Sequence, residues 1–305
     1  MKRFTLSMTL SLLSLGSVYG TEIDNFTQRY TDIKDSQEIL NQITNENMAL
    51  AITEANKKGS CDEKRLYKAI QKSLGGALWG KLEKIIVKDD RIDKRAIKIG
   101  DSIYGDTGFK QSVIFSFVDL GVILRMNDDI VGSDKFGHFF KEGYEYFKIA
   151  YLKNKGESAA MDWGESTERG FFGMATTGVY SYADLNANYQ GMQFWKNLIA
   201  GKYAAVNPMV TCEENKWKIA RTFNWADYIS PAWDEAINCS GLKHPSKIKG
   251  FTERAYKRMK KLEDKLGEKF VCPISVQKCE DIMIVHDNDT AKGERLISPK
   301  CIEIR

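Results

Sequence analysis

The chain has 305 residues, of which 43% are hydrophobic, 28% charged and 11% aromatic, and its 45 basic and 41 acidic side chains leave a net charge of +4. That apolar and aromatic content excludes a disordered chain, and the near-balanced charge excludes a nucleic-acid-binding composition. The length suits one large domain or two small ones, either able to bury a substantial core.

Lys2 and Arg3 precede the apolar stretch from Phe4 to Val18, and Val18-Tyr19-Gly20 places small or tolerated residues before Thr21. This layout predicts a secretory signal peptide over residues 1–20, cleaved after Gly20, and a periplasmic or secreted mature chain. The stretch falls short of the roughly 20 residues that cross a bilayer. The first Cys is Cys61, so no lipid-modified terminus is expected. Without Lys2 and Arg3, 43 basic residues face 41 acidic ones, a balance of +2.

A polar helix is expected over about 33–58 and a second over about 62–73, ending at Gly75-Gly76. Residues 82–87 read as helix or strand. Residues 112–125, apolar but carrying Asp119 and Arg125, read as a buried core helix rather than a membrane span. Helices are then expected over about 133–153, 157–174 and 181–201. Ser230-Pro231-Ala232-Trp233-Asp234-Glu235 has the form of a helix start, with an N-cap Ser, Pro in the first position and acids in the first turn.

All five Pro follow residue 207 and all six Trp lie between Trp79 and Trp233, so the chain changes character near residue 240. The expected organisation is a helical domain over 21–240 and a C-terminal region over 241–305. In the latter, Phe251, Ala255, Met259, Leu262 and Leu266 recur at helical spacing on a basic helix. Ile282 to Val285 and Leu296-Ile297 read as short strands. The fold class is therefore mainly α, a soluble helical domain with a small disulfide-braced α+β C-terminal region.

Six Cys in an exported chain, Cys61, Cys212, Cys239, Cys272, Cys279 and Cys301, point to as many as three disulfides among 15 possible pairings. Cys272 with Cys279 would close a local loop, and Cys212 with Cys239 a larger one. A Cys-bound metal is disfavoured, because no Cys-x-x-Cys pair exists and His244 and His286 stand at no ligand spacing from a Cys.

In the helix starting at Ser133, Asp134, His138 and Glu142 are four apart and share one stripe, while Phe136, Phe140, Gly143, Phe147 and Ala150 cover another. An acid, an imidazole and an acid so aligned suit a metal or a general-base His oriented by a carboxylate. An ordinary exposed face has the same periodicity. The next helix carries Glu165, Glu168 and Arg169. The third opens with Ser181-Tyr182-Ala183-Asp184, which has the form of a capping box, so Asp184 has a structural role open to it. Asn188 follows four residues later, and Gly191 allows a neighbouring helix to approach closely.

Asp134-Lys135-x-x-His138, an acid at Glu165 or Glu168, and Asp184-x-x-x-Asn188-x-x-Gly191 together resemble the signature of the VanZ-like proteins, associated with teicoplanin resistance, and of related envelope proteins of the YfiM type. The resemblance covers about residues 133–195 and nominates Asp134, Lys135, His138, Asp184, Asn188 and Gly191 as motif positions. In those families the motif sits on hydrophobic helices. Here Lys141, Glu145, Lys148, Lys153 and Lys155 make the first helix soluble. If the three helices converge, the resemblance implies an inward-facing polar network, costly to bury unless satisfied.

One His in this region excludes a dinuclear iron bundle, which needs Glu-x-x-His on two helices. Gly164-Glu165-Ser166-Thr167-Glu168 lacks the last Gly of a nucleophile elbow, and no phosphate-binding Gly-Lys loop occurs. Two readings stand. One is a non-catalytic envelope or secreted protein whose polar cluster locks helices or binds a polar ligand. The other is a hydrolase of an envelope component, with His138 as base or ligand of one metal ion, Glu142 and Glu165 or Glu168 as further acids, and Asp184 and Asn188 orienting them. No cofactor is identifiable, no transmembrane segment is expected after cleavage, and the one candidate partner class is an envelope component.

Overall fold

The computed structural model describes residues 22–76, 80–105, 120–170, 173, 177, 179–199, 201, 203, 207–240, 251–286 and 290–303. The expected signal peptide lies outside them. The described chain is mainly helical, with two small antiparallel sheets.

In α1 (Gln37–Ala55), Leu40, Ile43, Met48, Ala51, Ile52 and Ala55 recur at three- and four-residue steps and are buried. Asp62 caps α2 (Glu63–Ile70), its Oδ1 accepting from Arg65 N at 2.8 Å. The helix runs on as a π-helical turn, Gln71–Gly75, and stops at Gly76, whose φ of 75° suits glycine. The segment readable as helix or strand is α3 (Lys81–Lys88), with Leu82 and Ile86 buried one turn apart.

Next comes a three-stranded sheet of β1 (Lys94–Ala96), β2 (Val122–Met126) and β3 (Asp129–Gly132), in that order. This corrects the core helix expected over 112–125: residues 122–125 are strand, and 106–119 lie outside the described residues. The competing signal was the two-residue loop Asn127-Asp128. Asn127 has φ 53°, and Met126 pairs with Asp129 across the loop. A tight hairpin joined to the β-branched Val122 and Ile123 outweighs a run of apolar residues that has no helical period.

The expected helix over 133–153 is continuous but not uniform. It runs as α4 (Asp134–Gly137), a π-helical turn His138–Glu142, α5 (Gly143–Phe147) and a second π-helical turn, Lys148–Leu152. α6 (Glu157–Arg169) is shorter than expected, and α7 (Tyr182–Lys196) stops at Lys196. α5 and α7 cross where two glycines meet: a Cβ on Gly143 would lie 2.7 Å from the Gly191 Cα, and one on Gly191 would strike the Phe139 carbonyl.

A hairpin of β4 (Val210–Glu213) and β5 (Lys216–Ile219) follows. Glu214 and Asn215 both have positive φ at its two-residue loop, the condition for a type I′ turn. The helix expected from Ser230 is a single 3-10 turn, Pro231–Trp233. Asp234 Oδ1 accepts from Ala236 N at 2.9 Å, a local side-chain turn that competes with helix continuation.

The C-terminal part holds α8 (Phe251–Leu266), α9 (Val276–His286), α10 (Thr290–Leu296) and α11 (Pro299–Ile302). The strand expected at 282–285 is thereby corrected to helix, and of the expected Leu296-Ile297 strand Leu296 ends α10 while Ile297 is a bend; among the described residues this region is α rather than α+β. Cys279 and Ile282, three apart, turn together into a cluster with Ile297 and Cys301, a helical rather than a strand spacing.

All six Cys are paired, as Cys61–Cys212, Cys239–Cys272 and Cys279–Cys301. The pairings Cys272–Cys279 and Cys212–Cys239 are corrected. Helix α9 carries Cys279 inward, away from Cys272, and Cys212 sits on the hairpin beside α1 rather than near residue 239. Among the described residues, no helix is long and apolar enough to cross a membrane.

The main core is aromatic. Phe136, Phe139, Phe140, Phe194, Phe223, Trp225 and Trp233 are fully buried, with edge-to-face pairs such as Phe136 and Trp225 at 4.8 Å. This block fixes the face of α4 and α5 that turns away from the polar stripe.

Candidate functional site

The site starts where β3 ends. Ser133 N donates to the Val122 carbonyl at 2.9 Å and Ser133 Oγ accepts from Val122 N at 3.2 Å, so the sheet fixes the start of α4. Asp134 and Lys135 then stand in its first turn. Lys135 is fully buried, and its ammonium contacts Asp134 Oδ2 at 2.8 Å, Asp184 Oδ1 at 2.5 Å and Glu235 Oε1 at 2.6 Å. The ammonium donates to Asp134 and Glu235 and forms an ion pair with Asp184. Burial alone would lower the Lys135 pKa, but Asp134, Asp184 and Glu235 outweigh it and hold the group charged, well above its ordinary value.

His138 lies one turn on. Its Nε2 is 3.2 Å from Asp184 Oδ2. The Asn188 amide lies 3.0 Å from Nδ1 and 3.3 Å from the carbonyl oxygens of both Asp184 and His138; with its nitrogen toward them its two hydrogens are shared among the three. Its oxygen then turns to the buried Tyr146 phenol, which neighbours Asn188 and otherwise has no acceptor. In this arrangement Nδ1 accepts, and Nε2–H donates to Asp184. Burial lowers the His138 pKa, but Asp184 and the further carboxylates raise it well above the ordinary imidazole value. The Asn188 donor opposes that rise, because protonation at Nδ1 requires the amide to turn over.

Asp184 therefore stands between two cations or donors. Burial pushes its pKa up, but His138 and Lys135 outweigh burial and hold it ionised, well below the usual carboxylate range. The capping box forms by half. Ser181 Oγ accepts from Asp184 N at 3.1 Å, but the Ser181 N–H is taken by Glu168 Oε1 at 2.9 Å. Glu168 thus does the reciprocal capping and leaves the Asp184 side chain to the cluster. Burial and the Asp184 charge push Glu168 up to about 8.

The candidates divide cleanly. Asp134, Lys135, His138, Asp184 and Asn188 meet in one place, with Glu168 beside them and Gly191 at the helix crossing. Glu142, at the end of the π-helical turn, pairs with Lys141 at 3.1 Å and lies near enough to His138 for its charge to help raise the imidazole pKa. Glu165 faces elsewhere, bonded to Arg169 at 3.0 Å and to Arg295 of α10. Arg169 stacks over Tyr180 at 5.8 Å.

Three buried acids join the cluster without having been singled out from the sequence. Glu235 also accepts from Ser181 Oγ at 2.8 Å and Ser240 Oγ at 3.0 Å. Glu22, raised by burial and by Glu235, stands on the segment that Arg29 anchors to Asp234 at 3.0 Å. Glu83 of α3 lies against Gly137 and is pushed up to about 8 by burial and by Asp134. The only local signal for any of them was the acidic pair Asp234-Glu235, which read equally well as a helix first turn.

Chemically, Asp134, His138 and Asp184 each offer one ligand atom within 4.8 Å of the other two, the donor set for a cation. The His138 side chain is 20% exposed, so one edge of the ring reaches solvent while its partners stay buried. Family models, curated proteins and solved structures return no match for this chain.

Proposed function

We propose that this chain is a non-catalytic protein of an exported compartment, in which the charge network around Lys135 locks the helices together and the exposed edge of His138 receives a polar ligand of the cell envelope. One observation carries the reading: both ring nitrogens of His138 have partners inside the protein and three carboxylates surround the Lys135 ammonium, so neither of these two groups stands free to take a proton from a substrate. Three disulfides fit an oxidising compartment, and the N-terminal layout fits export.

The test is His138→Gln and Asp184→Asn in thermal and urea unfolding. A structural network loses about 3–5 kcal/mol on losing one partner. Unchanged stability in both variants would refute the reading. A hydrolase acting on an envelope component is the second reading, favoured by the solvent-facing edge of the Asp184-paired imidazole. Product release from purified envelope fractions by the protein, abolished in a folded His138→Gln variant, would establish it instead.

A further inference from the structure

The ligand of this site has a chemistry that the donor set specifies. We propose that Asp134, His138 and Asp184 bind one divalent transition-metal ion, of the zinc or manganese class, through one oxygen of each carboxylate and Nε2 of His138. The proposal rests on reading the cluster as a binding site and names what it binds.

Geometry carries it first. The three donor atoms lie within 4.8 Å of one another. The 3.2 Å between Asp184 Oδ2 and His138 Nε2 is close to the edge of a tetrahedron with metal bonds of about 2.0–2.1 Å, which is about 3.3 Å. An ion there replaces the hydrogen that now bridges the pair, and the two donors keep nearly their present separation. Three protein ligands leave a fourth position for water or an envelope group, and the solvent-facing His138 edge supplies the entry path.

Charge carries it next. Three carboxylates, Asp134, Asp184 and Glu235, face the single ammonium of Lys135 in a buried site, and a dication would offset the negative charge that one ammonium leaves. Unmet hydrogen-bonding capacity points the same way. Asp134 Oδ1 and Glu83 Oε1 are buried with no hydrogen-bond partner among the described residues, and the two residues are 6% and 5% exposed. Glu83 packs against Gly137, between Asp134 and His138 along the chain.

Supporting groups are in place. Lys135 holds the second oxygen of Asp184 and one oxygen of Asp134, which orients both carboxylates. With the ion on Nε2, the ring carries its proton on Nδ1, and Asn188 turns its amide oxygen to accept it across the same 3.0 Å.

Chelator-stripped purified protein should be titrated with zinc chloride and with manganese chloride in a calorimeter, beside His138→Gln, Asp134→Asn, Asp184→Asn and, as a control outside the cluster, Glu165→Gln. The expected result is one equivalent per chain, weakened at least tenfold in the three ligand variants and unchanged in Glu165→Gln. Asn188→Ala, which removes no ligand, should weaken binding roughly tenfold or more and keeps the test informative if a ligand variant unfolds. Absence of saturable binding by either metal, or undiminished binding in a folded His138→Gln or Asn188→Ala protein, would overturn the proposal. If no metal binds but the network variants still lose stability, the reading of the cluster as a lock survives and only the metal fails. Unchanged stability in those variants would instead sink the lock, whatever the metal does.

Discussion

Lys135→Met tests the centre of the network most directly. The substitution keeps the length of the side chain and removes the ammonium that Asp134, Asp184 and Glu235 share at 2.8, 2.5 and 2.6 Å. Removing one partner of a buried ionic group costs about 3–5 kcal/mol, because the charges left behind have neither water nor a counter-ion. For a chain of this size, about 4 kcal/mol lowers Tm by about 8 °C. The deficit must depend on pH. In the variant, burial and mutual repulsion raise the folded pKa of the three carboxylates above their unfolded values. A raised acid contributes stability below its unfolded pKa and loses it as pH rises through the folded one. The deficit is therefore smaller at pH 5 than at pH 8. In the wild type the raised Lys135 pKa keeps the ammonium charged across that window. Urea unfolding of both proteins at the two pH values measures it. Adding Asp134→Asn, Asp184→Asn and Glu235→Gln should recover most of the loss, since a neutral cluster leaves no charge uncompensated. A deficit under about 1 kcal/mol at pH 8, or one equal at both pH values, would refute the reasoning.

Glu83→Gln mimics the neutral form of a carboxyl pushed up to about 8 from an ordinary 4.5, so it should match the wild type at pH 4, gain on it progressively as pH rises toward 8 and level off above; urea midpoints between pH 4 and 9 read this out. Gly191→Ala drives a methyl into the Phe139 carbonyl at the helix crossing and should cost about 1–3 kcal/mol by thermal unfolding, whereas Gly100→Ala, with open space around it, should cost far less. Cys61→Ala with Cys212→Ala opens a link across 151 residues, and by loop-closure entropy should cost about 5 kcal/mol, measured without reductant.

Much of the helical layout was legible because it follows from periodicity. The runs that became α1, α2, α4 with α5, α6, α7 and α8 repeat apolar residues at three and four, and no Pro interrupts them. Short elements were not legible. Val122 to Met126 became strand through a two-residue loop and a partner strand, and Ile282 became helix through its packing against Cys301. Each is decided by a neighbour distant in sequence, which a local pattern does not contain.

The candidate site divides in the same way. Asp134 and His138 are four apart on one helix and Asp184 and Asn188 four apart on another, so spacing placed each pair on a shared face, whereas Lys135 was nominated by the resemblance alone. The choice of Glu168 over Glu165 was invisible, because both lie on α6 within one turn and only packing turns one to Ser181 and the other to Arg295. The π-helical turn over His138–Glu142 was equally invisible, a backbone change without a residue-level marker. Composition and local spacing by themselves determined a mainly helical chain, an even set of cysteines and two polar helix faces, all properties of neighbours within a few residues. Tertiary structure alone decided the disulfide pairing and the gathering of Glu22, Glu83 and Glu235 around a buried ammonium, because a charge can be buried only where distant segments bring its partners to it.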